Sequence, residues 1–360
     1  MKTLKNGDIF ILAVFAALCH LFNLPFVYSF IHLFIHTFNI VCAIVFARDE
    51  FCYYSQHFTN NNYDTFMMIH PQFDPVALSL GPVEVHWYGL MYLLAFAAAY
   101  GLAWYRSSKR DNWTTDMVSD LVFYGALGVI LGGRIGYVLF YQFGELLQNP
   151  AYLFKVWEGG MSFHGGMIGV LLGMLYFARK YKKTPFQVLD FIVPCVPTGL
   201  LFGRIGNYIN GELWGRVSDG GYNWLTYFPQ AAAFDAQQLQ TNPELQALML
   251  EVNGQYLLPR HPSQLYEALA EGLLLFIFLW WYSSKPRPRM AVSAVFLLGY
   301  GISRFIIEFF RQPDADQGFI LLGWMTKGQI LSAPMIIVGL IILIYAYKRG
   351  IYDWGKQAAY

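Results

Sequence analysis

The chain has 360 residues, of which 56% are hydrophobic and only 13% are charged. This charged share is about half that of a soluble domain, which excludes an ordinary water-soluble fold and favours the bilayer as the solvent of the chain. A net charge of +1 gives no electrostatic basis for nucleic-acid binding. The sparse cysteines include no CxxC pair, so we expect no metal site.

Residues 1–66 form an N-terminal extension with a character of its own. Lys2 and Lys5 precede an apolar run from Ile9 to Phe46. A charged start followed by an apolar stretch fits a secretory signal, and it also fits one additional membrane span. A third interpretation is that translation starts at Met67 or Met68. The sequence leaves the three interpretations open.

Seven apolar segments follow. Most of them approach the length of about 20 residues that a helix needs to cross the hydrocarbon core. Pro194 and Pro197 predict a kink in the fourth segment. The predicted fold is an all-α polytopic membrane protein with a seven-helix core over residues 67–350. The segments lie at roughly 86–105, 121–141, 161–178, 188–206, 264–282, 291–310 and 329–347.

Basic residues predict the orientation of these segments. They follow each odd-numbered segment, and the other loops have few of them, so the odd-numbered segments should end in the cytoplasm. The core would begin outside, and the tail at 351–360 would be cytoplasmic. The basic residues are Arg106, Lys109, Arg110, Arg179, Lys180, Lys182, Lys183, Lys285, Arg287, Arg289, Lys348 and Arg349.

The long polar stretch at 211–262 is then predicted to lie outside the cytoplasm. Either a disordered loop or a small folded head would suit its composition. Its aromatic residues favour the folded head because they need an interior to pack in. They are Trp214, Tyr222, Trp224, Tyr227 and Phe228.

Three series of glycines at four-residue spacing predict close helix packing. This spacing places the glycines on one helix face, where the absence of side chains lets a second backbone approach. The series are Gly128/Gly132/Gly136, Gly165/Gly169/Gly173 and Gly199/Gly203.

The segment from Gly203 to Gly215 carries the first candidate site. Arg204 and Asn207 share a helix face at i, i+3 spacing, and Glu212 follows them. A guanidinium is permanently charged and can grip a phosphate with two parallel hydrogen bonds. The alternative is a lone arginine that extends to the membrane interface, but the adjacent polar residues favour a functional site.

Two further groups of charged residues lie in apolar segments. Arg304, Glu308 and Arg311 have i, i+4, i+7 spacing, so we expect them on one helix face, with Glu308 able to pair with either arginine. They would form a second anion clamp or, alternatively, a structural ion-pair ladder. Arg134 lies among glycines, and its expected partner is Glu267 or Glu271.

His164 opens the third apolar segment and is the candidate general base, because an imidazole titrates near neutral pH. A histidine that merely hydrogen-bonds at the membrane interface is the alternative. Tyr88 lies in the block His86-Trp87-Tyr88-Gly89, where an interfacial aromatic belt would also explain it. In the block from His261 to Glu267, Pro262 is well placed for a helix start.

These blocks together resemble the bacterial phosphatidylglycerol–prolipoprotein diacylglyceryl transferases, over about residues 68–350. Residues 203–215 match the family signature, except that Tyr208 stands where phenylalanine is commoner. The resemblance implies seven spans, a periplasmic head and a place in the bacterial inner membrane. It also implies that Arg204, Arg304 and His164 are essential. Other positions that it marks as important are Tyr88, Asn207, Glu212, Gly215, Tyr300, Glu308 and Arg311.

The resemblance further implies transfer of a diacylglyceryl group from phosphatidylglycerol to the thiol of a lipobox cysteine in a prolipoprotein signal peptide. The products would be a thioether and glycerol phosphate, and no metal or organic cofactor is needed. From this resemblance we form the hypothesis that Arg204 and Arg304 hold the phosphate while His164 helps to deprotonate the thiol. Glu308 or a water bound to the substrate are alternative bases.

A lipid transporter or flippase is the rival class, because membrane arginines can also line a path for anions. A flippase should show internal repeats or a polar track that reaches both membrane faces. Here the polar residues gather towards one end of the apolar segments, which favours the enzyme.

Overall fold

A computed structural model describes residues 68–81, 83–155, 158–218, 224–313 and 318–353, and the N-terminal extension at 1–66 lies outside the described residues. The described chain is mainly helical. Its helices are α1 (Trp87–Ser107), α2 (Thr115–Tyr141), α3 (Phe143–Gln148), α4 (Phe163–Lys180), α5 (Pro185–Ile192), α6 (Val196–Ile209), α7 (Ala232–Thr241), α8 (Ser263–Glu267), α9 (Leu275–Tyr282), α10 (Ala291–Ile307) and α11 (Lys327–Arg349).

Each of the seven apolar segments contains helix in the structure. Within the described residues, five helical stretches are long and apolar enough to cross a membrane. The other two are α4, with 18 residues, and α10, with 17 residues. The chain is therefore a mostly helical protein with several candidate membrane spans, and the count of seven spans stays a prediction. The five stretches are Trp87–Ser107, Thr115–Tyr141, Pro185–Ile209, Ser263–Tyr282 and Lys327–Arg349.

Two of these stretches change their helical geometry partway. The prolines predicted a kink in the fourth segment, and a 3-10 turn at Val193–Cys195 separates α5 from α6 there, which confirms the break. Residues Ala268–Leu274 form a π-helix between α8 and α9. A Cβ atom on Gly272 in this π-helix would lie 2.8 Å from the Cα of Leu201, so only glycine allows α6 to pack so closely.

The glycine spacing correctly predicted the packing of α2 against α4. A Cβ on Gly136 would lie 2.7 Å from the Cα of Gly165, and Gly128 and Gly132 approach the backbone of α4 still more closely. For Gly199/Gly203 the prediction is wrong. The nearest atom to a Cβ at Gly199 is the Cβ of Ala95 at 3.9 Å, and among the described residues nothing lies within 4 Å of one at Gly203.

The chain divides into two compact units, each with its own contacts. The larger comprises Phe73–Val217 and the residues from His261 onward, and it contains all the apolar helices named above. Its strands β2 (Val76–Leu80) and β3 (Val83–His86) form an antiparallel pair just before α1.

The smaller unit comprises the described residues up to Gln72 together with Ser218–Arg260. Strand β1 (Met68–Ile69) pairs in parallel with β4 (Thr226–Tyr227), which pairs antiparallel with β7 (Pro259–Arg260). Strands β5 (Leu250–Val252) and β6 (Gln255–Leu257) form a hairpin. Arg260 and Asp235 form a fully buried ion pair within the unit, whose chain is thus folded. Its side of the membrane stays a prediction.

Candidate active site

Three helical elements of the larger unit carry the charged residues of the candidate site. Arg204 is on α6, Glu267 and Glu271 lie on the continuous stretch that runs from α8 into the π-helix, and Arg304 is on α10. Glu267 and Glu271 are fully buried and sit one helical turn apart, so both carboxylates project from the same side of their helix. Such charges are tolerated at this depth only when they are paired.

Glu267 is the hub of the arginine–carboxylate cluster, which we define as Arg204, Arg304, Arg311, Glu267, Glu271 and Glu308. Its Oε2 lies 3.2 Å from Nε of Arg204. Its other oxygen, Oε1, accepts from Nη1 of Arg304 and, at 3.2 Å, from Nη1 of Arg311. One carboxylate thus holds three guanidinium groups from different parts of the sequence at one place.

The other two carboxylates bind the outer edges of the same arginines. Glu271 Oε2 accepts from Nη2 of Arg204 at 3.3 Å, and Glu308 Oε2 lies 2.9 Å from Nη2 of Arg304. Glu308 Oε1 also accepts a hydrogen bond from the hydroxyl of Thr326 at 2.8 Å. The three arginines and three glutamates of the cluster balance in formal charge, which makes their common burial tolerable.

Each arginine of the cluster keeps a nitrogen that makes no side-chain bond within the described residues, and in Arg304 this nitrogen is Nε. Within the described residues, Arg204 uses Nε and Nη2 but makes no hydrogen bond through Nη1, and Arg311 uses only Nη1 in side-chain bonds. The side chains of Arg204, Arg304 and Arg311 remain 17%, 14% and 12% exposed. Planar guanidinium edges of this kind match the oxygens of a phosphate or carboxylate.

The expected common helix face of Arg304, Glu308 and Arg311 is only partly correct. Helix α10 ends at Ile307, and the chain then turns, so Arg311 lies beyond the helix. Arg304 and Glu308 pair as expected at i, i+4 spacing. The expected pairing of Glu308 with Arg311 is wrong, because Arg311 reaches Glu267 instead.

Backbone hydrogen bonds fix the position of Arg311. Gly215 and Arg311 form an antiparallel bridge, and the Gly215 N–H donates to the carbonyl of His261 at 2.9 Å. A Cβ at Gly215 would lie 2.6 Å from the carbonyl oxygen of Phe310 and close to that of His261. Glycine is therefore required at this position by the closeness of two neighbouring backbones.

Arg216, which the sequence analysis missed, caps the end of α10. Its Nε donates to the carbonyl of Arg311 at 2.9 Å, and its Nη2 donates to that of Glu308 at 3.2 Å. The last carbonyls of a helix have no intrahelical donor, so a cation there stabilises the turn. The sequence signal that could have identified Arg216 is its position directly after Gly215, the last residue of the signature.

Asn207 and Glu212 form a smaller polar group at the end of α6. With its amide nitrogen facing acceptors, Asn207 donates to Gly203 O at 3.0 Å and to Glu212 Oε1 at 3.3 Å. The Glu212 carbonyl accepts from Gln264 Nε2 at 2.6 Å, which ties this segment to the start of α8. Burial raises the pKa of the Glu212 carboxyl above its ordinary value.

The two predicted tyrosines border these groups. A Cβ at Gly206 on α6 would lie 3.2 Å from Cδ2 of Tyr88, so the Tyr88 ring packs against this glycine. Tyr300 lies on α10 one turn before Arg304, and its ring stacks on Phe296 with 5.9 Å between centroids.

His164 lies in the first turn of α4, where it is exposed. Its ring contacts that of Phe163 edge-on, with 5.7 Å between centroids. Among the described residues, it makes no hydrogen bond or ion pair with the arginine–carboxylate cluster. The structure therefore gathers Arg204, Arg304, Glu308 and Arg311 in the cluster and places Gly215 beside Arg311. Asn207 and Glu212 adjoin each other at the end of α6, and among the described residues nothing joins His164 to the cluster.

The expected pairing of Arg134 with Glu267 or Glu271 is wrong. Arg134 donates instead to backbone carbonyls, which include Tyr152 at 2.7 Å, Leu153 at 3.2 Å and Gly159. Its guanidinium also lies 4.7 Å from the ring centroid of Tyr152. Arg134 thus fixes the chain that leads into α4 and His164.

The predicted site also lacked three residues that contact the cluster or belong to it: Glu267, Glu271 and Thr326. Two carboxylates one turn apart in an apolar helix were a visible signal, because such charges are rare there without a function. The arginines that pair with these carboxylates lie between 33 and 67 residues away in sequence, a pairing that spacing alone does not reveal. Among the described residues, no group of three His, Cys, Asp or Glu side chains is placed to hold a metal ion.

The helices and the cluster define a membrane protein with a buried site suited to an anionic group. The family model described as prolipoprotein diacylglyceryl transferase matches residues 75–345. A phosphatidylglycerol–prolipoprotein diacylglyceryl transferase of Psychrobacter arcticus is 91% identical over 294 residues, covering 82% of this chain and 100% of the relative. The chain belongs to the prolipoprotein diacylglyceryl transferase family.

Two further relatives carry the same name. The protein of Acinetobacter baumannii is 64% identical over 292 residues, which are 81% of this chain and 99% of the relative. That of Acinetobacter baylyi is 63% identical over 290 residues, or 80% of this chain and 98% of the relative.

Proposed function

We propose that this chain transfers the diacylglyceryl group of phosphatidylglycerol to prolipoproteins. The observation that carries the proposal is the 91% identity to a relative of that name along the whole length of the relative. The buried arginines add a chemical reason, since the donor lipid carries a phosphate. The acceptor would be the thiol of the lipobox cysteine in the signal peptide.

In this proposal the cluster holds the phosphate of the donor lipid. The donors of Arg204 and Arg311 that make no bond within the described residues offer hydrogen bonds to phosphate oxygens, and Arg304 adds a charge beside them. Glu267 keeps the three guanidinium groups together before the lipid arrives. Positive groups that are already in place stabilise charge on the leaving group without rearranging during the reaction.

The chemistry exchanges one bond for another at the sn-3 carbon of the diacylglyceryl group. The thiolate sulfur forms the new C–S bond as the C–O bond to phosphate breaks, and the electron pair leaves with glycerol phosphate. The thiol proton passes to a base and can end on the released phosphate. His164 is our proposed base, because it is exposed and an imidazole nitrogen can accept a proton.

We also propose the predicted arrangement in the bacterial inner membrane, with seven spans, a periplasmic head and a cytoplasmic C-terminus. The distribution of basic residues supports it. A reporter fused after Tyr360 should be active only in the cytoplasm, and one inserted within 225–245 only outside. The opposite result for either reporter would contradict the span count.

A lipid transporter or flippase is not favoured, because the family and the relatives named above are transferases. In the deciding experiment, purified protein is incubated with phosphatidylglycerol and a lipobox peptide, and the mass of the peptide is measured by mass spectrometry. We expect a gain of one diacylglyceryl group, and none when the cysteine of the peptide is replaced by serine. Lipid movement between leaflets without any change in peptide mass would overturn the proposal.

A further inference from the structure

The first turn of α11 meets the carboxylate of Glu308, which makes this helix a fourth element of the candidate site. The Thr326 hydroxyl donates to Glu308 Oε1 at 2.8 Å, while Arg304 binds the opposite oxygen. Glu308 and Thr326 are 4% and 2% exposed. The carboxylate is therefore gripped from two sides within a buried environment.

Gly328 forms the wall against which this carboxylate rests. A Cβ at this position would lie 2.6 Å from Glu308 Cδ and 2.7 Å from each carboxylate oxygen. Real Cβ atoms do not approach other atoms so closely, so any side chain at position 328 would displace the carboxyl group from its place.

The Thr326 hydroxyl takes part in two hydrogen bonds. It is the N-cap of α11 in a capping box, where its oxygen accepts from the Gln329 N–H and its backbone N–H donates to Gln329 Oε1 at 3.1 Å. Its hydroxyl hydrogen points the other way, to Glu308. The N-terminus of a 23-residue helix also favours a nearby negative charge.

We propose that Thr326 and Gly328 are positioning residues that hold the Glu308 carboxylate against Arg304. Glu308 then fixes the plane of the Arg304 guanidinium, so that its remaining edge faces the departing phosphate. The inference rests on the proposed function, because only there does Arg304 act on a leaving group.

The test compares Thr326→Val with Thr184→Val, because the two threonines have the same local role. Thr184 is the N-cap of α5 in an equivalent capping box with Gln187, and within the described residues its hydroxyl contacts no carboxylate. Both variants should lose thermal stability, and Thr326→Val should lose more because it also removes the buried hydrogen bond to Glu308. Only Thr326→Val should also lose turnover of the lipobox peptide, by about tenfold, the effect of one hydrogen bond to a charged group. Thr326→Ser keeps the hydroxyl and should restore turnover.

Gly328→Ala provides a second probe that leaves the cap intact. We expect turnover to fall by at least about tenfold, since the added methyl group displaces a group that orients an electrostatic stabiliser. Gly101→Ala is the matched control, because nothing among the described residues lies within 4 Å of a Cβ at this glycine of α1. That control should keep normal turnover.

A double variant separates positioning from simple stability. In the Glu308→Gln background, Thr326→Val should reduce turnover by less than about twofold further, because no charged carboxylate is left to position. An equal loss in both backgrounds, or normal turnover in both Thr326→Val and Gly328→Ala, would overturn the inference. Normal turnover in Glu308→Gln alone would instead overturn the role of Glu308 in the proposed function.

Discussion

Buried arginines occupy two chemically different surroundings in the larger unit. Arg106 and Arg134 are 6% and 2% exposed, and their described partners are backbone carbonyls, aromatic rings and one hydroxyl. The arginines of the cluster are paired with carboxylates and remain between 12% and 17% exposed. The two surroundings indicate different roles for the same side chain.

At Arg106, all of the nitrogen groups have acceptors within the protein. Nε donates to Phe191 O at 3.0 Å, Nη1 to Ser283 Oγ at 2.8 Å and Nη2 to Asp190 O at 3.5 Å. Every nitrogen of this guanidinium is thus engaged by the protein, and its bonds tie α1 to α5 and to Ser283 just after α9. In the cluster, Arg204 Nη1 and Arg311 Nη2 make no side-chain bond within the described residues, and this difference supports the proposed anion site.

The largest effect should follow from Arg204→Lys or Arg304→Lys. Lysine keeps the charge but loses the planar pair of donors, so a phosphate in the reacting geometry would lose its grip. Turnover should fall by about one to three orders of magnitude, the scale for loss of an electrostatic stabiliser. Mass spectrometry of the lipobox peptide measures this loss.

The control for these variants is Arg179→Lys. Arg179 lies in the last turn of α4 and is exposed, and no hydrogen bond or ion pair ties it to the cluster among the described residues. It should retain normal turnover and stability. Near-normal turnover in both cluster variants would remove the arginine clamp from the mechanism.

Arg106→Lys should show the opposite pattern. A single ammonium cannot reach acceptors that the guanidinium contacts along three directions, so we expect a loss of about 1–3 kcal/mol in the free energy of unfolding. Turnover per folded molecule should stay unchanged. The measurements are thermal unfolding in detergent and turnover. Unchanged stability together with a large loss of turnover would contradict the comparison.

Local pattern predicted much of this fold because its cause is local. Runs of apolar residues located every apolar helix, and Pro194 and Pro197 located the break before α6. Glycine spacing correctly predicted the contact between α2 and α4. The same spacing failed at Gly199/Gly203, because four-residue spacing defines a face but does not say whether another backbone covers it.

The candidate site was less predictable because its pairings join distant parts of the chain. The sequence suggested an extended face for Arg304, Glu308 and Arg311, but α10 ends early, where Arg216 caps its last carbonyls. Arg134 was expected to need a carboxylate, yet a ring of carbonyls holds it. Neither outcome follows from local spacing, since each depends on a partner from another element.

The smallest effect should come from removing residues 1–66, which lie outside the described residues. A chain that begins at Met67 should keep activity, since it retains every block that resembles the family. A relative that is 91% identical is matched along its whole length by 294 residues of this chain, as many as this shortened chain has. Normal insertion of the shortened protein with loss of peptide modification would assign the extension a role.

The most direct test of the arginine clamp is inhibition by glycerol phosphate, the proposed product, which presents the phosphate without the lipid. The measurement is the inhibition constant for lipobox-peptide modification by the purified full-length protein, by Arg204→Lys and by Arg179→Lys. We predict that the inhibition constant rises at least about tenfold in Arg204→Lys, as expected for loss of a hydrogen bond between charged groups, and stays unchanged in Arg179→Lys. Equal inhibition of all three proteins would contradict the assignment of the cluster as the phosphate site.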